Sequence, residues 1–236
     1  MTPAGLYAAL EATWPAASCH RTGPWMIREG KGGGQRVSAA TAETAVQGCD
    51  VALAEQAMTA LGQTPLFMIR EHDTGLDALL AARGYMRHDP VVIYAVPVSH
   101  LAAIPPAPMT SFAMWPALEI ATQLWADAGI GAGRLAVMKR AMAPKTAILG
   151  RMNDRAAGAA FVACCHDIAM LHALEVSPGL RRQGAANHIM RMAAAWAQDN
   201  GASQLCLAVT EANGPARALY SSLGMEVVGT YHYRKK

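Results

Sequence analysis

The predicted architecture rests on one segment, Val176-Ser-Pro-Gly-Leu-Arg-Arg-Gln-Gly-Ala-Ala186. The apolar run 168–174 precedes it and a long helical pattern follows it, so the segment is expected to link a strand to a helix. The first backbone N–H groups of a helix have no partner within the helix, and the helix dipole is positive at that end. A glycine lets the backbone approach an anion closely, and the two arginines add positive charge. The segment therefore predicts a binding site for a phosphate or pyrophosphate.

A second pattern lies downstream of this loop. Gln204-Leu-Cys-Leu-Ala-Val-Thr210 is typical of a buried strand, and the spacing Asn213-x-x-Ala-x-x-Leu-Tyr-x-x-x-Gly224 follows it. The loop pattern Arg181-x-x-Gly-x-Ala186 and this later block together resemble two motifs of the GCN5-related N-acetyltransferases, the GNAT superfamily. The order of the motifs is that of the family, although Met225 stands where the family usually has an aromatic residue.

The resemblance implies a fold and an activity. The expected fold class is α+β, a three-layer arrangement in which helices flank a mixed, mostly antiparallel sheet. The expected activity is transfer of an acetyl group from acetyl-CoA, as cosubstrate, to a primary amine by direct attack in a ternary complex. No metal is implied. The expected acceptor is a small molecule or peptide, and a catalytically inactive acyl-CoA sensor is the alternative.

The resemblance also implies the residues that bind the cofactor. In the family, the strand before the loop separates from its neighbour, and its free backbone groups bind the pantetheine arm and the thioester carbonyl. Those groups would belong here to Leu174 and Val176. The remaining expected cofactor-binding residues are Arg181, Arg182, Gln183, Gly184, Ala185, Ala186, Asn187 and Asn213. An asparagine before a helix is also a good N-cap, which alone would explain Asn213.

Two residues are candidates for proton transfer. Tyr220 matches the family's usual general acid, since a phenol with a pKa near ~10 is protonated at neutral pH and can donate to a thiolate. Packing in the core is the alternative role for this tyrosine. His172 lies in the strand before the loop and titrates near neutrality, so it is a candidate for the proton path or a structural histidine. Glu175 is out of phase with His172 and is expected on the other face of the strand.

An internal repeat predicts two domains. A gapless offset of 140 residues places Gly224 on Gly84 and Leu205–Thr210 on Pro65–Arg70. We therefore predict two tandem GNAT-like copies, a degenerate one over 1–103 and a catalytic one over 109–236. The loop 181–186 corresponds to Thr41–Val46, which has neither a glycine nor a basic residue, so the first copy is expected to lack the cofactor site.

Local patterns predict further elements. Residues 97–108 are proline-rich and are expected to form a semi-rigid linker between the copies. Residues 25–28 and 35–38, on either side of the glycine cluster Gly30–Gly34, are expected to pair as a hairpin. Helices are expected over 116–128 and 135–143.

Composition excludes several classes of protein. Of 236 residues, 53% are hydrophobic and 16% charged, which supplies a core and argues against disorder. A net charge of +3 fits an anionic cofactor and argues against nucleic acid as a partner. No apolar run approaches the ~20 residues of a membrane span, and the odd count of five cysteines indicates reduced thiols in a cytoplasmic protein. The sequence leaves a monomer and a homodimer equally open.

Overall fold

The computed structural model describes residues 2–236, which contain eight α-helices and eleven β-strands. The helices are α1 Pro3–Thr13, α2 Asp50–Ala60, α3 Thr74–Ala82, α4 Val98–Ala102, α5 Glu119–Asp127, α6 Ala132–Arg140, α7 Ala185–Asp199 and α8 Gly214–Ser222. The strands are β1 Ser18–Thr22, β2 Trp25–Glu29, β3 Thr41–Ala42, β4 Leu66–Arg70, β5 Met86–Pro97, β6 Ser111–Met114, β7 Lys145–Met152, β8 Arg155–Cys165, β9 Ile168–Val176, β10 Gln204–Thr210 and β11 Glu226–Lys235. Within the described residues, no helix is long and apolar enough to cross a bilayer.

Eight strands form one mixed sheet in the order β4-β11-β5-β10-β9-β8-β7-β6. The β9–β10 pair is parallel, and the other neighbouring pairs are antiparallel. Strands β1 to β3 form a separate small antiparallel sheet. Helices α1 and α5 contact β8 and β9, as α7 also does, and the two groups of helices lie on opposite faces. The predicted α+β class, with a mostly antiparallel sheet between helices, is confirmed.

The two faces of the large sheet bury different cores. Leu171 packs in one core with Ile189 of α7 and Tyr220 of α8. Its neighbour Met170 packs in another core, together with Leu6 of α1. Successive side chains of a strand point to opposite faces, so this alternation is what two helical layers require. The α7 face and the α1 face are used below as names for these two sides.

The bounds of several elements repeat at the predicted offset of 140. Helix α8 starts and ends 140 residues after α3, and β11 starts 140 residues after β5. The correspondence fails at the cofactor loop, because α7 begins at Ala185 whereas α2 begins at Asp50 rather than at position 45. Residues 41–46 contain only the short strand β3 and bends. The division into copies over 1–103 and 109–236 stays a prediction.

The two halves exchange their last strands. β5 pairs with β10, and β11 pairs with β4. Under the offset, each half's final strand therefore lies beside the penultimate strand of the other half, and β5 pairs with β11 at the centre. The halves consequently share one continuous sheet, and the predicted boundary does not separate two independent sheets.

The prediction of a linker over 97–108 is wrong for its first residues. Residues 98–102 form α4, whose Val98 and Leu101 are buried in the core beneath α7. Pro97 ends β5 and stands immediately before α4. A proline is tolerated at a helix start, where its missing N–H would have no partner within the helix, so it does not prevent the helix that follows it.

The predicted hairpin is also wrong in its second strand. β2 pairs with β1 across Gly23, whose φ is +58°, while Gln35–Val37 forms a 3-10 turn. The glycine cluster instead allows close packing, because a Cβ on Gly133 of α6 would lie 2.3 Å from the carbonyl oxygen of Gly32. The helices expected over 116–128 and 135–143 exist as α5 and α6, with the second beginning three residues earlier than expected.

Candidate active site

β9 and β10 separate partway along the sheet. They are paired only over Ile168–Leu171 and Gln204–Leu207. Beyond that point a cavity of about 420 Å³ lies between them, lined by the end of β9 and by residues 207–210. Of the residues expected in the site, four line this cavity: His172, Leu174, Asn213 and Tyr220. A larger cavity, of about 690 Å³ around His100, is lined by none of them.

A β-bulge in β9 sets the direction of its side chains. His172 lies opposite Phe161 and Glu175 opposite Ala159, so β9 carries one extra residue. Ala173 has a φ of +51°, and its carbonyl accepts a hydrogen bond of 2.8 Å from the indole of Trp125. The bulge anchors the strand to α5 at the mouth of the cavity.

The bulge reverses one expectation about this strand. An extra residue shifts the alternation of side chains by one position. Leu174 and Val176 therefore pack on the α7 face with Leu171, whereas Glu175 and His172 both line the cavity. The expectation that Glu175 points away from His172 is wrong for this reason.

The loop after β9 turns tightly before α7. Pro178–Leu180 is a 3-10 turn, and Arg181 Nε donates a hydrogen bond of 2.9 Å to the carbonyl of Val176. Arg182 and Gly184 adopt the left-handed region, with φ of +59° and +96°. α7 begins at the next residue, Ala185, and no side chain caps it. Its first N–H groups thus lie at the end of an exposed, basic loop.

Space and charge at this loop fit an anionic ligand. A Cβ on Gly184 would have no heavy atom nearer than 3.9 Å, so the region above the loop is open. The side chains of Arg181, Arg182 and Gln183 are exposed. Nearby, the buried Oδ1 of Asn187 is without a hydrogen-bond donor within residues 2–236, and an amide or hydroxyl of a ligand could satisfy it. The residues fit a pyrophosphate with an amide-bearing arm.

Tight packing fixes the position of the α7 start. Ile189, one turn into α7, is fully buried against β7. A Cβ on Gly150 would lie 2.6 Å from Ile189 Cδ1, so only glycine permits this approach. The first turn of α7 is therefore held rigidly against the sheet, as a pre-organised anion site requires.

Tyr220 places a phenol in the wall of the cavity. Its side chain is 6% exposed, and its ring centroid lies 5.8 Å from that of Tyr94. Burial, and secondarily the charge of Glu175, raises the pKa of Tyr220 to about 12. The phenol therefore keeps its proton throughout the neutral range. Asn213 begins the same helix, and its Oδ1 accepts a 3.2 Å hydrogen bond from the N–H of Ala216, so the expected capping role is confirmed.

His172 is neutral and has both ring nitrogens engaged. The Thr13 hydroxyl donates to the carbonyl of Ala9 at 2.7 Å, so its oxygen is free to accept from His172 Nε2, 2.9 Å away. Nδ1 then carries the lone pair and accepts from Arg36 Nη1 at 3.3 Å. Burial, followed by the charge of Arg36, holds the pKa of His172 well below its ordinary value. The imidazole also stacks against Trp14, with centroids 4.9 Å apart.

Several residues of the cavity were not found from the sequence. Gly33, Gly34, Gln35 and Arg36 come from the N-terminal half, 130 or more residues before β9. Arg134 on α6 and two tyrosines of β11, Tyr231 and Tyr233, complete this side of the lining. No local pattern marks Arg36, since only tertiary packing brings its turn to the cavity. Among the described residues there is no cluster of three or more His, Cys, Asp or Glu that could hold a metal.

Comparison with known proteins identifies the family. Residues 117–225 match the model of the Acetyltransferase (GNAT) family. Among curated proteins, YobR of Bacillus subtilis (strain 168), an uncharacterized N-acetyltransferase, is 36% identical over 56 residues, which are 24% of this chain and 23% of that protein. The match thus spans about a quarter of the curated relative's length.

Solved structures extend the likeness to the whole fold. A GCN5-related N-acetyltransferase from Kribbella flavida superposes with a TM-score of 0.76 at 20% identity, covering 99% of this chain and 95% of that one. A tandem GNAT protein from the clavulanic acid biosynthesis pathway gives a TM-score of 0.64 at 15% identity, covering 94% and 84%. Through residues 117–225 the chain belongs to the acetyltransferase (GNAT) family, and its fold is that of GNAT proteins.

Proposed function

We propose that this protein is an N-acetyltransferase that transfers an acetyl group from acetyl-CoA to a primary amine of a small molecule or peptide. Transfer would occur by direct attack in a ternary complex. One observation carries the proposal: the cavity between the separated ends of β9 and β10 holds the protonated phenol of Tyr220. The open, basic start of α7 follows the same strand. Membership of an acetyltransferase family supports the same reaction.

The cofactor would be bound mainly by the backbone. The first N–H groups of α7, with Arg181 and Arg182 beside them, would hold the pyrophosphate. The separation of β10 from β9 leaves the backbone near Leu174 unpaired on that side, where it can bind the pantetheine arm and the thioester carbonyl. Asn187 Oδ1 and Asn213 lie at the two ends of this path as further polar contacts.

The residues on the α7 face and on the α1 face would have different roles. Acetyl-CoA, when bound, supplies a thioester whose carbonyl carbon an amine can attack. Tyr220, on the α7 face, would donate its proton to the departing sulfur, because its pKa of about 12 keeps it protonated and that of a thiol is near ~8.5. No cysteine lines the cavity, so no residue of this lining can form an acyl-thioester intermediate.

The acceptor amine must lose a proton on the α1 face. His172 was expected in this role, but hydrogen bonds to Thr13 and Arg36 occupy both its nitrogens, and its lowered pKa makes it a weak base. Glu175 lines the same cavity, and burial raises the pKa of its carboxyl. We therefore assign proton acceptance to Glu175 and orientation to His172.

We further propose that the chain carries a single cofactor site. Residues 1–103 would be the degenerate copy, since the offset counterpart of the α7 start is not a helix start. This half would instead supply part of the acceptor side, through residues 33–36.

Release of free thiol tests the proposal. The purified protein is mixed with acetyl-CoA and a panel of primary amines, and free CoA is measured. Amine-dependent release is expected. Binding of CoA without release for any amine would favour the sensor, which needs no proton donor. An absence of CoA binding would refute both.

A further inference from the structure

The acceptor side of the cavity contains a cation whose neighbours are neutral. Arg36 donates from Nε to the hydroxyl of Tyr231 at 3.2 Å and from Nη1 to His172 Nδ1 at 3.3 Å. Across residues 2–236, none of the ion pairs within 4.0 Å involves Arg36. A guanidinium shielded from water without a counter-charge is costly, unless a bound anion completes it.

The partners of Arg36 cannot themselves become that anion at neutral pH. The His172 nitrogen that faces Arg36 is the lone-pair nitrogen of a neutral ring, because Nε2 donates to Thr13. Tyr233 also lies against Arg36, and burial raises the pKa of its phenol well above the ordinary value. The rings of Tyr231 and Tyr233 pack edge to face, with centroids 5.6 Å apart, and wall this end of the cavity.

A second unpaired cation faces the same space. Arg134, in the first turn of α6, lines the cavity, and its Nε lies 3.5 Å from the position that a Cβ of Gly34 would occupy. It has no carboxylate within 4.0 Å among the described ion pairs. Glu175 is the one acidic residue in the cavity lining. Two arginines and one carboxylate leave this lining with an excess of one positive charge.

We propose, resting on the acetyltransferase function above, that the acceptor is an amine that also carries a carboxylate, which binds Arg36 and Arg134. The acceptor's amine would then lie beside Glu175, facing the thioester. One excess positive charge matches one carboxylate better than a phosphate dianion. The planar guanidinium of Arg36 also suits the two oxygens of a carboxylate. The N-terminal half would thus contribute the residue that selects the substrate.

Matched acceptors test this inference. Each amino acid of a panel is compared with its amide and with its decarboxylated amine, at saturating acetyl-CoA, by free-thiol release. The carboxylate-bearing member is expected to have a kcat/KM at least tenfold higher than the other two. Arg36→Gln is expected to raise KM at least tenfold for that member alone, while KM for acetyl-CoA stays unchanged. Arg36→Lys should retain part of the preference, since the charge remains.

Arg87→Gln is the matched control, because Arg87 is exposed and lines a separate cavity around Asp77. It should change no kinetic constant. Equal rates with amino acids, amides and amines would overturn the inference while the acetyltransferase function stands. Turnover only of amines that lack a carboxylate, or of no panel member despite CoA binding, would also overturn it. If Arg36→Gln does not fold, the preference of the unaltered protein among the three acceptor forms decides alone.

Discussion

Replacing Tyr220 by phenylalanine removes the proposed proton donor and little else. The ring is 6% exposed and contacts Tyr94, and phenylalanine keeps that packing. The pKa of about 12 means that about one phenol in 10⁴ is ionised at pH 8, so the whole population is in the donating form. General acid catalysis contributes roughly 10²–10⁴-fold. We expect kcat to fall by about 10²-fold or more, with an unchanged Kd for CoA.

The assay is steady-state release of free thiol across pH 6.5–9.5, with Tyr94→Phe as the matched control. Tyr94 accepts a 3.5 Å hydrogen bond from Arg217 Nε and does not line the cavity, so its variant should retain full kcat. Because the pKa of Tyr220 is raised, the activity of the unaltered protein should show no decline below about pH 10 that depends on this residue. Equal kcat values for Tyr220→Phe and Tyr94→Phe would refute the assignment of the acid.

Three further substitutions probe the loop, the packing beneath it and the shared sheet. Gly184→Val should raise the Kd for CoA at least tenfold by calorimetry and lower the unfolding free energy by about 1–2 kcal/mol, because φ is +96° there. Gly150→Val should cost about 1–3 kcal/mol in urea unfolding through overlap with Ile189, and adding Ile189→Ala should recover part of this; full stability in the single variant would contradict the close contact. Asp77 bonds Arg234 Nε at 2.7 Å and Nη2 at 2.8 Å, and Arg234 lowers the pKa of Asp77 to about 2. A carboxyl with a lowered pKa stabilises the fold above pH ~4 and loses that effect towards pH ~2, so the deficit of Asp77→Asn, about 1 kcal/mol at pH 6, should vanish on acidification, and a constant deficit would be evidence against it.

Local patterns were sufficient for the elements around the loop. The apolar run 168–174 and the helical stripe after Ala185 predicted β9 and α7, because each pattern reflects burial on a local surface. The offset of 140 predicted where α3 and β5 begin. Asn213 was expected to cap a helix, and it does.

Features that depend on distant pairing were not predicted. The exchange of β5 and β11 between the halves has no local signal, since either strand pattern fits either neighbour. The bulge at Ala173 was missed because a strict alternation was assumed, and one extra residue moved Glu175 to the cavity side. Arg36 was missed because the turn that carries it was expected to be a strand.

Calorimetric titration with CoA tests the central claim most directly, which is that the loop before α7 forms the one cofactor site of this chain. We predict one CoA per chain, loss of binding by at least tenfold in Gly184→Val, and unchanged binding in Thr44→Val, which alters the offset counterpart of Gly184 in the N-terminal half. No binding, two CoA per chain, or equal effects of the two variants would contradict the account.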